Sequence, residues 1–99
     1  MKLPQAFEMT ISRADFVRLL PAAVGHQPFE ETGSAFSGAD AEVGRGRRWK
    51  IALTSLPALR IGAICLERHR VQIDFEGYAE ADIAAFLTRF EFYFRRGGG

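Results

Sequence analysis

Apolar and polar positions along this 99-residue chain repeat at two different periods. Phe7, Met9 and Ile11 alternate with Glu8 and Thr10, the period of two expected of a strand with one buried face. Ser12 follows as a helix N-cap. Asp15 stands three residues later in the place of the capping-box acid, and Ile11 is placed to staple onto Phe16. Phe16, Leu19, Leu20 and Val24 then recur at helical spacing. Pro21 carries no amide proton, so the helix is expected to end near Leu20 or to kink there, with Gly25 as its stop.

Beyond Gln27 the alternation is shorter and more often broken. Residues 28–32 and 35–43 read as short strands around a Gly33-Ser34 turn, with Gly38 and Asp40 marking a weak point or a bulge in the second. Gly44-Arg45-Gly46 turns the chain again. Trp49, Ile51 and Leu53 alternate with Lys50, Ala52 and Thr54 until Ser55-Leu56-Pro57 breaks the pattern. Residues 59–66 are apolar on both faces apart from Arg60, which predicts a central strand containing a buried Cys65. Glu67–His69 then reads as a turn. Val71, Ile73 and Phe75 form the last one-sided strand, ended by Gly77. Strands joined by such short links pair antiparallel.

From Ile83 the period lengthens, and Ile83, Phe86, Leu87, Phe90 and Phe94 fall on one helical stripe. Glu80 and Asp82 lie near the positive end of that helix, and Arg89, Arg95 and Arg96 near its negative end. Ala79 occupies the N-cap position without a capping side chain. Phe90, Phe92 and Phe94 also alternate as a strand would, but the periodic run is too long for a typical strand. The elements therefore run strand, helix, four or five strands, helix. They define a two-layer α+β fold with a five- to six-stranded antiparallel sheet and both helices on one face. Residues 1–96 read as a single domain, and Gly97, Gly98 and Gly99 as a flexible tail. The element order resembles a shortened helix-grip domain, whose curved sheet and long C-terminal helix often enclose a ligand; no residue motif accompanies that resemblance.

Composition narrows the picture. Hydrophobic residues make up 47% and charged residues 25% of the chain, values of a compact soluble domain rather than a disordered one. A net charge of +1 lacks the broad basic field of a dedicated nucleic-acid binder. Nine of the twelve aromatic residues are phenylalanine, a large apolar supply for so small a core. Cys65 is the one cysteine, so no intramolecular disulfide forms. With no signal-like or membrane-length apolar run, the expected location is the cytoplasm.

Four features carry candidate chemistry. Phe90, Phe92, Tyr93 and Phe94 cover more of a helix than one core stripe needs, so Phe92 or Tyr93 should fall outside the core face, either as a ligand or partner surface or as a ring folded over the end of the sheet. Arg45, Arg47, Arg48 and Lys50 surround Trp49 as phosphate contacts around a stacking ring would; the strand pattern turns Trp49 inward and leaves the cations as a solvated, edge-protecting face. Arg95-Arg96-Gly97-Gly98-Gly99 resembles the tails of ubiquitin-like modifiers and sulfur carriers, which imply a C-terminal carboxylate presented for adenylation. Three glycines replace the usual two, and the β-grasp element order is absent. Finally, His26, His69 and Cys65 lack the ligand number and spacing of a zinc site, so no metal or cofactor is expected. Asp74 and Glu76 share a strand face with Arg70 as a charge pattern, and a Cys65–His69 pair across a turn is the nearest approach to a nucleophilic site.

No nucleophile elbow, P-loop or dinucleotide fingerprint is present, although catalytic residues need not be contiguous. The function expected is that of a small non-catalytic binding or accessory module. It would act on a protein partner or a small apolar ligand through a sheet–helix pocket or the aromatic helix surface, with a homodimer among the open arrangements. The alternatives are a carrier using the Gly99 carboxylate and nucleic-acid binding through residues 45–50.

Overall fold

The computed structural model describes residues 5–39 and 46–97. Seven elements follow in the order β1 (Gln5–Met9), α1 (Arg13–Ala23), β2 (Phe29–Thr32), β3 (Ala35–Ala39), β4 (Arg48–Ile61), β5 (Ile64–Glu76) and α2 (Glu80–Gly97). The five strands form one antiparallel sheet in the order β1-β5-β4-β3-β2. α1 thus carries the chain from one edge of the sheet to the other, and β2 to β5 return as a meander. Residues 40–43 of the expected third strand lie outside the described residues.

Alternation decides which face is buried. Phe36, Trp49, Ile51, Leu53, Val71, Ile73 and Phe75 point to one side, where they meet Phe16, Leu20, Ala23 and Val24 of the first helical segment and Phe86, Phe90 and Phe94 of α2 in a single core. The opposite face carries no helix and reads as polar rows, with Lys50 opposite Asp74 and Arg48 opposite Glu76. The helices run antiparallel, because Arg89 reaches the end of α1 while Phe94 stacks on Phe16 near its start.

Capping follows local chemistry. The Ser12 side chain accepts a hydrogen bond from the Asp15 amide at 3.1 Å, as the sequence indicates. Pro21 neither ends the helix at Leu20 nor removes its last turn. The proline's own amide bond is lost, but Val24 still donates to Leu20 and His26 to the Pro21 carbonyl, at 3.0 and 2.7 Å, and α1 runs to Ala23. Gly25 and His26, both at positive φ, then turn the chain out. At α2, Asp82 supplies the reciprocal half of a capping box, its carboxylate accepting from the Ala79 amide at 3.4 Å. Helical spacing wins over strand alternation throughout this segment, and the helix continues through Gly97.

The main departure from the sequence reading lies between residues 54 and 69. Leu59–Leu66 is not a central strand, and Glu67–His69 is not a turn. β4 and β5 form one long hairpin that reverses at Gly62-Ala63, where Gly62 at positive φ and Ala63 at negative φ follow the type II′ pattern. His69 sits inside β5, 7% exposed, with its Nδ1–H donating to the Ile11 carbonyl at 2.8 Å. Cys65 is exposed rather than buried.

Candidate functional site

The hairpin outruns its neighbours. β3 stops pairing with β4 at Ala52, and β1 stops pairing with β5 at His69, so residues 54–61 and 64–68 project as a two-stranded arm. The molecule accordingly measures 49 Å along its long axis against 26 and 25 Å across. Two-stranded ribbons without a packed face are marginal in water, and this one is held at its root by charge. Arg68 and Arg70 share the two carboxylate oxygens of Glu8, at 2.8 and 3.3 Å, and Arg68 also donates to the Pro57 carbonyl.

A bulge sets the arm's chemistry. Leu56 pairs with Arg68 and Leu59 with Leu66, so β4 spends three residues where β5 spends two. That single extra residue reverses the parity of everything beyond it. Without it Leu59 and Ile61 would continue the core-facing series of Trp49, Ile51 and Leu53. With it they pair with Leu66 and Ile64, on the side of the sheet that carries no helix. Arg60, Cys65 and Glu67 take the other side. The arm is therefore amphipathic, and its apolar side has nothing to cover it among the described residues. Leu59 is 41% exposed, Ile61 58%, Ile64 57% and Leu66 37%, together the equivalent of nearly two fully exposed side chains. At about 1.5–3 kcal/mol for each such side chain buried, roughly 3–6 kcal/mol of burial is left unrealised.

The residues singled out from sequence fall elsewhere. Phe90 and Phe94 are core, their ring centroids 4.5 Å apart, and with Phe16, Phe36, Trp49 and Phe86 they fill the space between sheet and helices. Phe92 is the ring that faces outward, 51% exposed and edge-on to a half-buried Tyr93 at 5.2 Å. Arg89 lies across the end of α1, donating to the Ala23 carbonyl at 3.2 Å.

In the basic segment, Arg45 lies outside the described residues. Arg47 is occupied structurally, donating to the Gly77 carbonyl at 2.9 Å and pairing with Asp82 at 3.5 Å. Arg48 and Lys50 stand opposite Glu76 and Asp74, which balances their charge across the strands. These four residues border a shallow open depression of about 720 Å³ on the helix-free face, with Thr32 and Ser37. Gly98 and Gly99 lie outside the described residues. The Cys65–His69 pair does not bracket a turn; both belong to β5, the thiol on the exposed arm and the imidazole in the core. Among the described residues, no group of three or more His, Cys, Asp or Glu is arranged to hold a metal ion, and no helix is long and apolar enough to cross a membrane.

Against known proteins, the chain matches no family, no curated protein and no solved structure. The arm is thus the feature that sequence reasoning missed. The signal for it was present in Gly62-Ala63, a two-residue turn in the middle of a nominally continuous apolar run.

Proposed function

We propose that this protein is a non-catalytic binding or accessory module whose docking element is the projecting β4–β5 arm. The observation that carries this reading is the exposure of Leu59, Ile61, Ile64 and Leu66 on one side of a ribbon outside the core. Apolar side chains gathered on one projecting face are the usual mark of a protein-binding surface. An extended ribbon also offers main-chain donors and acceptors along its edges, so a partner gains hydrogen bonds as well as apolar contact. Phe92 supplies a second exposed apolar point on α2. An exposed single thiol at Cys65 fits a reducing, cytoplasmic compartment.

A photoreactive phenylalanine analogue at Ile61, compared with one at the exposed Arg18 of α1, tests the reading in cell extract. Discrete cross-linked species from position 61 and none from position 18 are expected. Equal labelling from both positions, or none from 61, would contradict it.

A further inference from the structure

We propose that the arm docks on a second copy of itself, β5 pairing antiparallel with β5 about a two-fold axis at Cys65. This rests on the reading of the arm as the docking element. The two edges of the arm are unequal. On β4, Pro57 lacks an amide proton and sits in the bulge, which blunts that edge against an incoming strand. On β5, residues 64–68 continue beyond the last pair with β1 without a proline or a bulge. Pairing along this edge extends the two-stranded ribbon to four strands, which supplies the lateral neighbours an isolated hairpin lacks.

The register follows from side chains. With the axis at Cys65, Ile64 lies opposite the partner's Leu66 and Leu66 opposite the partner's Ile64, joining the apolar sides of the two arms. Glu67 then meets the partner's Ala63, and Arg68 meets the partner's Gly62. No like charges face each other, and the axial residue is itself neutral. Moving the axis to Leu66 sets Arg68 against the partner's Ile64, and moving it to Ile64 sets Leu66 against the partner's Gly62. Each shift leaves one apolar pair, at the axis itself, where the axis at Cys65 makes two.

A second observation places the turn. A notch of about 270 Å³ lies where the chain leaves β1 for α1, between Thr10, Ile11 and Ser12 on one side and Cys65, Leu66 and Glu67 on the other. Antiparallel pairing at this register carries the partner's Gly62-Ala63 turn to that notch, and the side chains at those two positions are only a hydrogen and a methyl.

Light scattering across a concentration series, with a short bismaleimide as the cross-linker, tests the pairing on the full chain. Twice the chain mass and efficient coupling through Cys65 are expected, since directly opposed residues sit about 4.5–5.5 Å apart at Cα. A thiol moved to β4 by Cys65→Ser with Arg60→Cys should couple poorly, because three strand spacings, roughly 14 Å, separate the two copies there. Leu66→Lys should weaken association at least tenfold, with a melting midpoint unchanged at dilutions where copies do not associate; Ile64→Lys should do the same. A single-chain mass at every concentration with no Cys65 coupling overturns the proposal, as does a dimer indifferent to both lysines. If the chain stays single while Ile61 labels another protein, self-pairing falls and the docking reading stands. If it also labels nothing, both fall.

Discussion

Gly38 is a residue whose place in a strand is explained by its neighbours rather than by its own propensity. A Cβ there would meet the Pro28 carbonyl oxygen at 2.7 Å and the Trp49 indole at 2.8 Å, because the indole lies directly over β3. The strand accepts a glycine so that the largest side chain of the core can be buried. Gly38→Ala should therefore lower stability by about 1–3 kcal/mol in urea unfolding, through overpacking rather than backbone strain. From sequence this glycine reads as a weak point or a bulge, since nothing local shows that an indole eleven residues away will cover it. His69 was hidden for a similar reason. Its charged neighbours look like a turn, whereas tertiary structure supplies the Ile11 carbonyl that allows an imidazole to be buried. The Trp49 Nε1, buried without a hydrogen-bond partner among the described residues, is the corresponding cost of placing that ring in the core.

Elements with a long, uninterrupted period were legible, and those set by one extra residue were not. Both helices follow from spacing, and α1 also from its Ser12 cap, including the expectation that one ring of the aromatic segment faces outward; Phe92 is that ring. The bulge between Leu56 and Leu59 was not legible, because a proline after an alternating run reads as the end of a strand. Here the strand continues with reversed parity. The junction before α2 also depends on tertiary partners. Asp82 caps the Ala79 amide, and Arg47 joins that carboxylate to the Gly77 carbonyl, so a loop cation closes the helix start that lacks a capping side chain of its own. Asp82→Ala should cost about 1 kcal/mol. Arg47→Ala in that background should cost measurably less than in the wild-type chain, a coupling that a double-mutant cycle reads directly.

For the whole molecule, the structure divides one chain between a core and an arm. The core is filled by rings from both helices and the sheet, while the arm adds length and apolar surface without adding to that core. Sequence patterning could not separate the two, because residues 59–66 are as apolar as a central strand and their burial depends on what lies beside them. The measurement that bears most directly on this division is urea unfolding of Ile61→Ser with Ile64→Ser beside Ile51→Ser, at a dilution where copies do not associate. The arm pair should shift stability by less than about 1 kcal/mol, the range of an exposed cross-strand pair. Ile51→Ser, which removes a fully buried side chain and buries a hydroxyl, should cost about 3 kcal/mol or more. Comparable losses from the arm and core substitutions would contradict the account, since they would place Ile61 and Ile64 in the folding core.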